Sequence, residues 1–123
     1  MAYSIRIDAE RRVVRVVVAD GCDPLGASGM ITSARQAAAG SGFGMLYDVR
    51  AARLYGLQRT DVFWWPRTIL VLQDVAARRV RAAVLHAPEH RALMQFWETA
   101  YRNVGLQASA FEDEEGALRW LFA

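Results

Sequence analysis

Lysine is absent from this 123-residue chain, and all fifteen of its cationic side chains are arginine. That bias reads more simply as GC-rich coding than as an arginine-specific site, because the arginines are scattered. The only clusters, Arg11/Arg12/Arg15 and Arg78/Arg79/Arg81, lie beside expected strands, where solvated edge charges are ordinary. A nucleic-acid binder would concentrate charge in one stripe, so a net charge of +2 spread in this way predicts no nucleic-acid partner. Cysteine is nearly missing as well. With Cys22 alone there is no intrachain disulfide, and a reducing, cytoplasmic setting is expected. The opening MAYSIRIDAERR has no apolar core of a secretory signal. The longest uncharged run, Gln36 to Tyr47, is too short and too rich in glycine to span a bilayer, so no transmembrane segment is expected. Two histidines leave little acid–base capacity at neutral pH. No Ser/His/Asp or Cys/His set can be assembled from position, and neither a catalytic residue, a metal nor another cofactor is expected.

What is present describes a globular chain, 54% hydrophobic and 23% charged, of a length that suits one domain over residues 1–123. YSIRID (3–8) alternates as a half-buried strand should, and RVVRVVVAD (12–20) is strongly β-branched, so a hairpin opens the domain. GCDPLG breaks it. Met30, Ile31, Ala34 and Ala38 recur at helical spacing within 27–39, and Gly40 suits a helix end. GMLYDV (44–49), RAAVLHA (81–87) and QASAF (107–111) read as short buried strands. They are separated by helical stretches over 60–77 and 88–103, and a last helix covers 113–122. The order is ββαβαβαβα, an α/β pattern that implies a mostly parallel sheet with an antiparallel N-terminal strand and right-handed crossover helices. Alternation in the strands places Arg6, Arg15 and Arg81 on one sheet face among small apolar residues, so that face is expected to be only partly covered.

The hairpin, the strand ending in Asp48-Val49-Arg50, the strand AAVLHAP and the ending AFEDEEGALRWL together resemble the SpoIIAA-like branch of the STAS superfamily. That superfamily includes anti-sigma factor antagonists, and the branch is also grouped with Sec14-type lipid-binding domains. The resemblance covers nearly the whole chain and implies strands laid side by side largely in chain order. Anti-sigma antagonists carry a phosphorylated serine in an Asp-Ser-Ser-Gly type motif at the start of the helix after the third strand. Here the matching region is GLQRTDV, whose only hydroxyl is Thr60. Partner switching by phosphorylation is therefore not expected, and Thr60 followed by Asp61 reads as a helix N-cap with a first-turn carboxylate.

Several constellations carry less than they suggest. HAPEH (86–90) has inverted-zincin spacing, but Pro88 should start a helix and leave His86 on the strand end. GSGFG (40–44) follows a helix and opens a strand, the reverse of a phosphate loop. EDEE (112–115) complements a helix dipole. Two features are candidates for binding. Asp48 and Arg50 sit at the carboxyl end of the third strand, where open α/β sheets place ligands, although the simpler reading has Asp48 accepting backbone hydrogen bonds from the following loop and Arg50 solvated. In VFWWPR (62–67), Phe63, Trp64 and Trp65 fan too widely at about 100° per residue to share one core layer. Ile69, Leu72 and Val75 are expected to form the inward stripe downstream. Phe63 and one tryptophan are then expected to form a contact surface beside the loop after Asp48, the other tryptophan anchoring the turn; the alternative is that the loop 51–59, with Leu54, Tyr55 and Leu57, buries all three rings. Pro66 should either kink one helix or start a new one. The expected function is a non-enzymatic interaction domain with a protein partner or a second copy of itself as a homodimer. The alternative is a binder of a small apolar ligand or lipid.

Overall fold

A computed structural model describes all of residues 1–123. The antiparallel hairpin pairs β1 (Ala2–Asp8) with β2 (Val13–Gly21) in full register, Ile5 opposite Val16 and Arg6 opposite Arg15. Parallel strands follow on the other side of β2: β3 (Gly44–Asp48), β5 (Ala82–Leu85) and β6 (Ala108–Phe111). The order across the sheet is β1-β2-β3-β5-β6, and a two-residue strand β4 (Ala52–Arg53) extends the end of β2. This is the expected α/β architecture in one domain. Only β4 falls where an irregular loop was expected, because two residues give no periodicity to read.

Helix boundaries depart from expectation where capping chemistry decides them. Helix α1 spans Pro24–Ser41 rather than 27–39. Asp23 accepts the Gly26 N–H at 2.7 Å as N-cap and Pro24 takes the first helical position, so the Asp-Pro pair that read as a breaker is a start signal. The helix ends at Gly42, not Gly40, with φ 76° in the left-handed region that glycine tolerates. The expected helix over 60–77 is two helices, α2 (Arg59–Leu72) and α3 (Val75–Arg78). Asp74 restarts the chain as a new N-cap, accepting the Ala77 N–H at 2.8 Å. Thr60 is not an N-cap. Gln58 holds that place, and Asp61 accepts its backbone N–H at 2.8 Å. Beyond β5, Pro88–His90 form one 3-10 turn before α4 (Arg91–Arg102), and α5 (Glu114–Leu121) closes the chain under the Asp113 cap.

The two faces of the sheet are unequally covered. Val14, Val16, Met45, Tyr47 and Val84 join the main core with side chains of α1, α2 and α4. On the opposite face Val13, Leu46, Ala83 and Leu85 meet Ala117 and Leu121 of α5, with Leu118, Trp120 and Phe111 packed at the margin. One eight-residue helix covers part of that face, and Arg6 lies in solvent beyond it. Arg15, expected to be solvated there, is half-buried and bonds Glu114 at 2.6 Å. Arg81 donates to the carbonyls of Trp120 and Ala123, both at 2.8 Å. The arginines of this face thus hold down both ends of α5.

Arg35 is the largest fully buried side chain, at 1% exposure, and no carboxylate pairs with it. Its Nη1 donates to the carbonyls of Ala77 at 3.0 Å and Val80 at 3.4 Å, which close α3 and lead into β5. The Ala77 carbonyl also accepts the Val80 N–H at 3.4 Å, so Arg35 is the donor that matters most to the Val80 carbonyl, while its own Nε is buried without a partner. Arg35→Met should therefore lower unfolding free energy in urea by about 1 kcal/mol, the cost of leaving the Val80 carbonyl without a donor. A variant as stable as the parent, or more stable, would show that desolvating the charge costs as much as its hydrogen bonds return.

Candidate functional site

Helix α2 carries Phe63, Trp64 and Trp65, and its continuity decides where they point. Pro66 lies inside the helix and removes the N–H that would bond the Val62 carbonyl. The helix nevertheless continues. Directly after Pro66, two side chains bond back to the preceding turn: Arg67 Nη1 donates to Phe63 O at 3.0 Å and Thr68 Oγ1 to Trp64 O at 3.1 Å. Of the two alternatives read from sequence, Pro66 does not begin a helix.

That single helix separates the three rings. Val62, Pro66 and Ile69 are buried, and Trp65 packs against the main core. Trp64 points the other way and is 60% exposed, with Phe63 at 37% packed edge-on against it. Seven residues on, Val71 returns to within about 20° of Trp64 and is 79% exposed, with Leu72 at 72% beside it. Trp64, Arg67, Thr68, Val71 and Leu72 line an open groove on the outside of the helix. The expected inward stripe keeps only Ile69, because α2 ends at Leu72 and Val75 belongs to the next helix, where it is exposed. Arg67 lies over the Phe63 ring, its guanidinium carbon 3.7 Å from the centroid, which fixes a cation in the middle of the apolar surface. Sequence reasoning missed Arg67 and Val71 and placed Leu72 on the inward face, whereas it is exposed. Their signal was apolar and basic residues on the face of α2 opposite Val62 and Ile69.

Behind α2 lies an apolar cavity of about 50 Å³, walled among others by Met30, Tyr47, Leu54, Leu57, Trp65 and Trp97. The loop after β3 thus meets Trp65 through Leu54 and Leu57. Cys22 also lines the space; burial first and Asp23 second push its thiol up to about 11, so it is a weak nucleophile at neutral pH. Tyr55, on the outside of the same loop, donates its hydroxyl to Glu89, and its ring lies 4.9 Å from that of His90.

Asp48 and Arg50 are brought together, but not with the aromatic rings. Tyr47 faces the main core, and Asp48, next along β3, lies on the α5 side of the sheet. Both carboxylate oxygens of Asp48 are held by the Arg50 guanidinium at 3.0 and 2.8 Å, and Oδ1 also accepts the Arg50 backbone N–H at 3.2 Å. Desolvation raises the Asp48 carboxyl, but the Arg50 hydrogen bonds and charge, with help from Arg15, outweigh it and hold the group below the ordinary aspartate value. The sheet therefore separates the two halves of the expected binding site. Thr60 is exposed in the first turn of α2, on the helix but with its side chain in no cap.

No protein-family model and no curated protein matches this sequence. Among solved structures, it is similar to an uncharacterized protein of the DUF3478 family with a SpoIIAA-like fold from Shewanella loihica PV-4. The two share 18% identity over 98% of this chain and 92% of the other, with a TM-score of 0.59. The chain thus has a SpoIIAA-like fold, in agreement with the resemblance carried by its strands and C-terminal segment. No helix is long and apolar enough to cross a membrane.

Because the folded-state pKa of Asp48 is depressed, its stabilisation is present at neutral pH and is lost as pH falls through the carboxylate range below about 4. Asp48→Asn should lower unfolding free energy by about 1 kcal/mol at pH 7, and the gap to the parent should close as the pH approaches 3. A gap that is constant with pH would mean that the carboxylate charge contributes nothing.

Proposed function

We propose that the protein is a non-enzymatic interaction domain whose outer α2 face receives a partner protein. The observation that carries this reading is the exposure of Trp64, Val71 and Leu72 together on a helix whose other face already fills the core. Single exposed apolar residues are ordinary, but a contiguous aromatic and aliphatic patch around a fixed cation has the composition of an interface centre. The partner that fits presents apolar side chains to the groove and a carboxylate to Arg67, which has no acidic partner within the chain. The SpoIIAA-like fold of the structural neighbour is compatible with this reading, and that protein is itself uncharacterized.

The apolar cavity favours a second reading, binding of a small apolar ligand. At about 50 Å³ it is well below the roughly 300–1,000 Å³ of ligand pockets. A lipid chain would require Trp65, Leu54 and Leu57 to move outward. The cavity as it stands suits a gap left by imperfect packing of large side chains, and the exposed helix face is the stronger feature.

A photo-reactive residue placed at Val71 in the producing cells tests the first reading, with the same residue at exposed Ser33 of α1 as control. The expected result is one heterologous protein adduct at position 71, absent at 33 and lost when Trp64→Ala is added. Absence of an adduct, or an adduct indifferent to Trp64→Ala, overturns the reading. Native mass spectrometry of the same protein addresses the second: a co-purifying small mass displaced by Trp65→Ala would favour the cavity instead.

A further inference from the structure

The two edges of the sheet are treated differently. At the β6 edge the outward carbonyl of Ala108 accepts Arg102 Nε at 2.8 Å, and the outward N–H of Ala110 donates to Glu98 Oε2 at 2.7 Å. Glu98 and Arg102, one helical turn apart on α4, also pair with each other at 3.2 Å. Two side chains thus occupy the edge groups that another strand would need. At the opposite edge, β1 bonds only to β2, and no backbone or side-chain group elsewhere in the chain reaches its outer side. The N–H and C=O groups of alternate residues along this seven-residue strand remain free there. The strand has no proline, and Arg6 and the terminal Asp8 are its only charges. Exposed edges of this length are usually blunted, because free N–H and C=O groups template pairing with another chain.

The side chains of β1 indicate which chain. Tyr3, Ile5 and Ile7 lie on the face shared with the main core, and Tyr3 and Ile7 are 43% and 52% exposed. The geometry points to a second copy of this chain as the occupant, pairing antiparallel along β1 about a two-fold axis through Ile5. A two-fold axis normal to the sheet keeps like faces together and permits only registers in which same-face residues oppose. Centred on Ile5, the register places Tyr3 against Ile7 of the second copy, Ile5 against Ile5, and Ser4 against Arg6. Each exposed apolar side chain gains an aromatic–β-branched or aliphatic cross-strand neighbour, and no like charges stand directly opposite. Moving the axis to Arg6 sets Arg6 against itself, and moving it to Ser4 leaves Ile7 outside the Tyr3–Ile7 pairing. The strand is complementary to itself in one register. The resulting dimer has a continuous sheet across both copies and leaves both α2 faces free.

Cysteine pairs read the register directly, since residues opposite each other in an antiparallel pair fall within disulfide reach. Chains carrying Tyr3→Cys and chains carrying Ile7→Cys are mixed and oxidised mildly. The expected result is a disulfide-linked dimer in the mixture and none with either chain alone. Sedimentation of the otherwise unmodified protein should show a dimer, and Tyr3→Lys/Ile7→Lys should be a monomer that still unfolds cooperatively, with a melting temperature that no longer depends on protein concentration. A monomeric parent, a dimer that persists in the double-lysine variant, or cross-linking as efficient in the unmixed chains would each overturn the proposal.

Discussion

Helix α2 has more apolar side chains than the single core beside it can receive. Its inward face is filled by Val62, Pro66 and Ile69, with Trp65 wedged against the cavity. A helix wholly enclosed by protein could bury apolar residues all round, but α2 forms the outside of its layer. Trp64, Val71 and Leu72 are therefore left in water by the geometry of the helix itself. Arg67 and Thr68 bond back to the turn before Pro66 while standing between those residues, so both belong to the helix backbone's hydrogen bonding and to its outer surface.

The second constraint is the unequal covering of the sheet. Parallel strands normally need both faces covered, yet here one face has three helices and the other only α5. So short a helix would be marginal alone, and charges fasten it at both ends. Glu114 at its start meets Arg15 from β2, and its last carbonyls accept Arg81 from the start of β5. Asp48 and Arg50 stand next to this arrangement and add a local pair at the end of β3. The strand-end carboxylate thus contributes to the same polar margin that secures α5, and it lies across the sheet from the apolar helix face.

The architecture was legible because long strands and amphipathic periodicity survive in sequence: the β-branched run of β2 and the apolar strands β3 and β5 appear where patterning puts them. Boundaries were less legible, since Asp23, Gln58 and Asp74 act through local hydrogen bonds that composition does not rank. Arg35 could have been noticed as a charge four residues after Ile31 on an apolar face, but its carbonyl partners on α3 and at the start of β5 are set by tertiary packing. The fan of rings in VFWWPR was visible, whereas the choice of outward ring was not. It depended on whether Pro66 begins a helix or lies within one, and the back-bonding of Arg67 and Thr68 accompanies the second arrangement.

The adjacent tryptophans provide the most direct measurement of the central claim, that α2 divides into a face for the core and a face for a partner. Urea unfolding of Trp64→Ala and Trp65→Ala compares two equal truncations one residue apart. The account predicts a loss of about 3 kcal/mol for Trp65→Ala, which removes a large ring packed against the core, and less than about 1 kcal/mol for Trp64→Ala, which removes an exposed ring. Equal losses, or a larger loss for Trp64→Ala, would mean that the outer ring belongs to the fold and would contradict the division.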